Sequence, residues 1–130
     1  MAEMKCFGGE YAGQVIRNAK ALAKALHEYD FPVKCPELGF TESHQVIMDF
    51  GGYEQGRKIA EKLQKANIIV DCVVRIGTCE VTRRGMKEGE MVEIAELIKR
   101  ITLDREKTET VKKDVVKLCS NFQNIEYCFK

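Results

Sequence analysis

The sequence has almost no excess of charge of either sign. Its 130 residues contain 21 lysines and arginines against 20 aspartates and glutamates, a formal net charge of +1. A domain that binds nucleic acid without sequence preference usually shows a basic excess in its total charge. The balance therefore argues against a nucleic-acid-binding function, including one based on the adjacent pair Arg83 and Arg84.

Long apolar runs are also missing. No stretch approaches the ~18 residues that a membrane-spanning helix needs, and the first residues do not form a basic and then apolar leader. With 45% hydrophobic and 32% charged residues, the chain has the composition of a folded domain rather than a disordered segment. We expect one domain, no membrane partner and a cytoplasmic location.

The cysteines lack the close spacing that marks a metal site or a redox pair. They are Cys6, Cys35, Cys72, Cys79, Cys119 and Cys128. No two are separated by only two residues, and neither His27 nor His44 is placed to complete a zinc-type set. We therefore expect no metal site, and reduced thiols that are mostly buried as small hydrophobic side chains.

Motifs for phosphate binding or nucleophilic catalysis are absent as well. The glycine pairs at 8–9 and 51–52 are too short and wrongly placed for a phosphate-binding loop, so they are interpreted as turns. Ser43 and His44 are adjacent, and neighbouring residues on a strand point to opposite faces. We predict no catalytic residue in this chain.

Helical periodicity covers much of the sequence. From Tyr11, apolar residues recur every three or four positions and predict a helix that ends before Pro32. A second amphipathic helix is predicted over 53–66, and two more fill the last third of the chain. Residues 1–10 show no periodicity and are interpreted as a lead-in or connection, whereas residues 11–130 form the domain.

Apolar and β-branched runs between the helices predict short strands. They lie at 33–35, 44–50, 68–70 and 72–76, and residues 77–85 are predicted to form a loop. The resulting order is α-β-β-α-β-α-α. Helices that flank a small, largely antiparallel sheet give an α+β fold, a two-layer sandwich.

Arg75 stands out because it interrupts an apolar run within a predicted strand, Val73-Val74-Arg75-Ile76. Arginine is almost never fully buried without a partner, and its planar fork can hold a carboxylate through two parallel hydrogen bonds. An edge strand with Arg75 in solvent, or an internal ion pair, explains the same pattern. The residues alone therefore predict one candidate carboxylate-binding arginine and leave these alternatives open.

The residues around Arg75 resemble a known family. The stretches Arg-Ile-Gly-Thr at 75–78, Val-Thr-Arg-Arg-Gly-Met at 81–86 and Glu-Gly-Glu-Met at 88–91 are similar to the C-terminal domain of serine hydroxymethyltransferase. The similarity extends from about residue 11 to residue 100, and more weakly to the end of the chain. The resemblance implies a fold type I enzyme, a homodimer that interconverts serine and glycine with pyridoxal phosphate and a tetrahydrofolate-type carrier.

In that family pattern, the arginine that matches Arg75 binds the carboxylate of the amino-acid substrate, which orients the reacting bond against the cofactor. The family's His-Lys motif for the cofactor, and the large domain that carries it, are absent from the 130 residues. The resemblance therefore assigns no cofactor-binding residue to this chain. It implies a large pyridoxal-phosphate domain as partner, on the same or a separate chain, together with self-association.

The sequence also departs from the family next to Arg75. Only residues 71–74 separate Val70 from Arg75, where the family has a long polar loop at the mouth of the substrate site. We predict that the chain alone is catalytically silent. Two functions remain open: a truncated or split piece of the enzyme that supplies the substrate-binding arginine, or a stand-alone, non-catalytic binding or interaction module that kept the fold.

Overall fold

Helices pack against one face of a small antiparallel sheet in the computed structural model, which describes residues 2–129 and leaves Met1 and Lys130 outside. In chain order the elements are α1 (Ala2–Glu28), β1 (Gln45–Ile47), α2 (Tyr53–Lys65), β2 (Arg75–Gly77), α3 (Cys79–Arg83), α4 (Glu88–Thr102) and α5 (Thr108–Ser120). A short 3₁₀ turn lies between α1 and β1. The predicted α+β class is confirmed.

The core forms where α1 packs against α4. Leu22 and Leu26 of α1 and Met91 and Ile98 of α4 are almost completely buried. Their spacing of four and seven residues places each pair on one face of its helix. Burying a side chain of this size contributes about 1.5–3 kcal/mol to stability. Residues of β1 and α5 pack against the same cluster, so the contact between α1 and α4 is the centre of the core.

Helix α1 begins earlier than the sequence predicts. Residues 2–10, expected as a lead-in, are already helical. The C-terminal segment covers this part of the helix: the ring centroids of Phe7 and Phe129 lie 5.3 Å apart, and those of Tyr11 and Tyr127 also 5.3 Å. Two glycines lower the helix propensity here, and tertiary packing offsets that loss.

Strands β1 and β2 pair antiparallel, with Val46 opposite Ile76 and Ile47 opposite Arg75. Val46 is buried against the helices, whereas Ile47 and Arg75 are exposed. Cross-strand partners share one face of a sheet. Arg75 and Ile47 therefore lie together on the face that is turned away from the core.

The other predicted strands are shorter than expected or do not form. In the stretch 33–35, Val33 makes a single isolated bridge with Met48. The stretch 68–70 is not part of any sheet, and Ile69 is 84% exposed. A β-branched run forms a strand only where a partner strand can pair with it, and none lies beside this segment.

The segment 77–85, predicted as a loop, contains helix α3. Thr78 precedes the helix, and the Thr82 hydroxyl donates to the Thr78 carbonyl at 2.6 Å. Gly85, with φ +89°, follows the last turn. A helix of five residues is too short to show a periodic pattern in the sequence.

The prediction that the cysteines are mostly buried is wrong. All six are free thiols, and four of them are exposed: Cys6, Cys35, Cys79 and Cys119. They lie on the solvent-facing sides of helices or next to turns, where their hydrophobic character does not decide the fold.

Candidate functional site

Arg75 begins strand β2 with a side chain that is 49% exposed. Its Nε donates a hydrogen bond to Asp71 Oδ2 at 2.7 Å. Within residues 2–129, neither Nη nitrogen of this guanidinium has a hydrogen-bond partner. Of the structural alternatives that the sequence left open, an internal ion pair is therefore present, and it occupies only the Nε edge. The two Nη nitrogens form the edge that can hold a carboxylate bidentately.

Asp71 is held in place by the backbone of the turn that it begins. Its Oδ1 accepts hydrogen bonds from the N–H groups of Val73 at 3.0 Å and Arg75 at 2.8 Å. Partial burial raises the pKa of Asp71, but the hydrogen bonds from the Arg75 backbone and guanidinium outweigh it and hold the pKa below its ordinary value. The carboxylate is thus charged at neutral pH.

The turn over residues 71–74 sits tightly on helix α2. The carbonyl oxygen of Cys72 comes so close to Gly56 that a Cβ on this glycine would lie 2.4 Å from it. Val74 is fully buried, donates its N–H to the Asp71 carbonyl at 2.9 Å and has φ +52°. A left-handed β-branched residue is strained, so packing must hold this turn in place.

The chain that leaves β2 is fixed by buried hydrogen bonds. The Thr78 N–H donates to the His44 carbonyl at 3.0 Å, and its hydroxyl donates to the Val15 carbonyl on α1 at 2.9 Å. Thr78 and Thr82 are both fully buried. These contacts set the direction of β2 and hence the position of Arg75.

Asn18 connects the same segment to helix α1. Its amide nitrogen donates to the Thr82 hydroxyl at 2.8 Å and to the Met86 carbonyl at 2.9 Å, and its oxygen accepts from Gln14 at 2.9 Å. Gln14 also donates to Glu88 at the start of α4, at 3.0 Å. Sequence reasoning did not single out these polar residues. The sequence did contain one indication of this network: Gln14 and Asn18 are polar, lie four positions apart, and fall on the apolar face of α1.

Arg100 shows what a fully paired arginine looks like in this protein. Its Nε and Nη2 donate to both Glu106 oxygens at 2.7 and 2.9 Å, and Nη2 also donates to Asp114 at 2.8 Å. Hydrogen bonds from these two carboxylates raise the pKa of Arg100. Its side chain is only 22% exposed. Arg100 joins α4 to α5, whereas the Nη edge of Arg75 has no such partners in the described part of the chain.

Other features that could indicate a function are a metal site, a membrane-spanning helix and further arginines placed to bind a ligand. Within residues 2–129, no group of three or more His, Cys, Asp or Glu side chains is placed to hold a metal ion. No helix there is both long enough and apolar enough to cross a membrane. Arg84 pairs with Glu80 one helical turn away, at 3.1 Å.

Comparison with known proteins places this geometry in a class. No protein-family model matches the chain. Its fold superposes on L-threonine transaldolase from Pseudomonas fluorescens, solved in its internal aldimine state, with a TM-score of 0.93 and 28% identity, over 98% of this chain and 32% of that one. The fold is therefore that of one domain of a larger enzyme.

The relatives in sequence define the family. Serine hydroxymethyltransferase from Methanocella arvoryzae is 42% identical over 99% of this chain, and that from Saccharolobus islandicus 45% identical over 98%. The chain is homologous to the C-terminal domain of serine hydroxymethyltransferase, as its motifs indicate. It spans about a third of the length of these curated relatives, 34% and 33%.

The alignments also show a deletion. The match to the Methanocella arvoryzae protein runs over 144 positions but contains 99% of a 130-residue chain, so about 15 positions of the relative have no counterpart here. The match to the Methanocaldococcus jannaschii relative runs over 148 positions. This difference agrees with the shortened segment before Arg75.

Proposed function

We propose that this chain supplies the substrate-carboxylate arginine, Arg75, to a serine hydroxymethyltransferase-like enzyme whose remaining part binds the cofactor. The observation that carries the proposal is the Nη edge of Arg75, which has no partner among residues 2–129 and lies on the outer face of the sheet, in a chain homologous to that family. A guanidinium in this position can fix a carboxylate in one orientation.

Exposed apolar side chains near Arg75 support docking of the remaining part of the enzyme. Ile47 is the cross-strand partner of Arg75, and Val73 precedes it by two positions. Both side chains are exposed. Two further apolar side chains are exposed as well: Ile69, which precedes the turn over 71–74, and Tyr53, the first residue of α2. Exposed apolar groups that adjoin a polar site are typical of an interaction surface. Self-association through this surface is the other use we expect.

The residues present do not make a site for pyridoxal phosphate on their own. A lysine that forms a Schiff base is usually desolvated or placed near another cation, which lowers its pKa. Every lysine among residues 2–129 is at least partly exposed, and ion pairs with Asp49 and Asp104 raise the pKa values of Lys34 and Lys99. We therefore propose that the cofactor is held outside this chain, and that the chain alone is inactive.

A chimeric enzyme tests the proposal. The part of the Methanocella arvoryzae relative that has no counterpart here is fused to this chain, and glycine binding is followed by the absorbance of bound pyridoxal phosphate. We expect saturable glycine binding that Arg75→Lys weakens about 10-fold or more, because lysine keeps the charge but loses the bidentate pair of N–H donors, and a hydrogen bond to a charged group contributes about 1.5–3 kcal/mol.

The matched control is Arg84→Lys, a partly exposed arginine directly after α3 that pairs only with Glu80 among the described residues. It should leave glycine affinity unchanged. Equal affinity of the Arg75→Lys and parent chimeras would remove Arg75 from substrate binding. A chimera that binds the cofactor but not glycine would exclude the enzyme-fragment function for this chain.

The second candidate is a stand-alone module that binds small carboxylates through Arg75. The observation that favours it is the hydrogen-bonded turn over 71–74, which closes the site with residues of this chain alone. Titrating glycine into the isolated chain should then shift the NMR signals of Arg75 and its neighbours. No response at tens of millimolar glycine would rule out this candidate.

A further inference from the structure

The shortened segment before β2 brings a carboxylate of the chain itself to Arg75. We propose that Asp71 is a specificity-determining residue of this site: it occupies the Nε edge of the guanidinium and weakens the binding of external carboxylates. The inference rests on the proposed function, because it assumes that Arg75 is the carboxylate-binding group.

Asp71 and Arg75 form a short, direct ion pair. Asp71 Oδ2 lies 2.7 Å from Arg75 Nε, a distance typical of a charge-assisted hydrogen bond. A ligand that uses Nε must displace this oxygen. A ligand that uses only the two Nη nitrogens comes within a few ångströms of a like charge. In either position, Asp71 opposes a second carboxylate.

The backbone of the turn holds the Asp71 side chain against Arg75. Two backbone N–H groups bind its Oδ1, so the side chain is fixed by the same turn that leads into β2. The close contact of the Cys72 carbonyl with Gly56 and the complete burial of Val74 fix the position of this turn. An ordinary surface ion pair can open by rotating either side chain, but here only the arginine is free to rotate.

The relatives carry about 15 positions that this chain lacks, and only residues 71–74 separate Val70 from Arg75 here. The compact turn over these residues uses Asp71 Oδ1 as the acceptor for two N–H groups. An asparagine or serine oxygen could fill that role, but only an aspartate also brings a second, charged oxygen to Arg75 Nε.

Acetate titration of the full chain tests this inference. The probe is the side-chain Nε–H signal of Arg75 in ¹⁵N-labelled protein, assigned by its loss in Arg75→Lys, with sodium chloride as the ionic-strength control. The variant Asp71→Asn keeps an Oδ1 acceptor for the turn and replaces Oδ2 by an amide group. We expect acetate to bind this variant about two- to fivefold more tightly than the wild type, the range that exposed ion pairs give.

The matched control, Asp114→Asn, removes the same charge beside Arg100 and should not change acetate affinity at Arg75. Asp71→Ser provides a second test in case the amide variant does not fold: its hydroxyl can still accept from the turn, but it is too short to reach the guanidinium. It should also tighten acetate binding.

The outcomes separate this inference from the proposed function. If acetate binds the wild type and both Asp71 variants equally, or binds the variants more weakly, Asp71 is not a competitor, and Arg75 remains a carboxylate-binding residue. If neither the wild type nor a folded Asp71 variant binds acetate, the stand-alone function and this inference both fail. If acetate binds both Asp71 variants more tightly than the wild type, and Asp114→Asn does not change its affinity, the result supports Asp71 as a competitor of external carboxylates at Arg75.

Discussion

Two segments flank strand β2, and the protein holds them in different ways. The segment after the strand, from Thr78 to Met86, is connected to helix α1 by buried hydrogen bonds through Asn18. The segment before it, residues 71–74, depends on one half-exposed carboxylate and on a close contact with Gly56.

The comparison shows where the chain kept the architecture of its relatives and where it changed. The segment after β2 contains motif residues by which the chain resembles the family, and three of their side chains, those of Thr78, Thr82 and Met86, are buried against α1. A change there affects the whole core. The segment before β2 lies at the surface, where a chain can lose residues at little cost to its core, and this is where we expect the family's longer loop to be missing.

The largest effect is expected from the buried side of this comparison. Asn18→Leu removes the donor to the Met86 carbonyl and the acceptor for the Gln14 amide, so the buried carbonyl loses its side-chain hydrogen bond and Gln14 keeps only its bond to Glu88. We expect the free energy of unfolding, measured by urea denaturation, to fall by about 2–4 kcal/mol. The control Lys24→Leu, on the exposed face of α1, should change it by less than ~0.5 kcal/mol. An equal loss in both variants would mean that the buried network contributes nothing special.

An intermediate effect is expected where the turn meets α2. Gly56→Ala places a Cβ 2.4 Å from the Cys72 carbonyl oxygen, so the turn must move. We expect a loss of about 1–3 kcal/mol in the free energy of unfolding. Gly89→Ala is the matched control, because nothing lies within 4 Å of its added Cβ in helix α4, and it should be neutral or stabilising by about 0.5–1 kcal/mol. A neutral Gly56→Ala would show that the turn is not held by this contact.

The smallest effect is the contribution of Asp71 to stability. Its pKa is lower in the folded chain than its ordinary value of 3.8, so its stabilising contribution is complete above about pH 4 and is lost as the pH falls through the folded value. The pair is exposed, which limits the contribution to about 0–1 kcal/mol.

Asp49, Glu88 and Glu106 also have lowered pKa values, so the wild type alone cannot isolate this contribution. The quantity to measure is the difference between wild type and Asp71→Asn in urea midpoint, from pH 7 down to pH 2.5. We expect the wild type to be slightly more stable at pH 7 and the difference to disappear in acid. A difference that stays constant over this range would contradict the assignment of the charge to Asp71.

The long helices could be read from the sequence because their signal is local. The apolar spacing in α1, α2, α4 and α5 repeats over several turns, and the structure confirms all four helices. The ends and short elements were less predictable. The first turns of α1 depend on packing against Phe129 and Tyr127, far away in the chain, and α3 has too few residues for any periodicity.

For the candidate site, the sequence indicated the residue but not its surroundings. Arg75 was recognisable because a charged residue interrupted an apolar run. Asp71, Gly56 and Asn18 could not be recognised in this way, because their roles depend on contacts with other segments. Asp71 binds the Arg75 guanidinium, Gly56 lies against the Cys72 carbonyl, and Asn18 joins α1 to Thr82.

What the amino-acid sequence by itself determined is the fold class, the four long helices, the family motifs around Arg75 and the four residues that separate Arg75 from Val70. Each of these features follows from the identity of neighbouring residues or from their periodic spacing. Only the tertiary structure decided which face Arg75 occupies and which carboxylate reaches it. The pairing register of β1 and β2 turns Arg75 away from the core, and a four-residue turn seated on α2 brings Asp71 to its Nε. Those positions depend on contacts between distant segments, which no local pattern encodes.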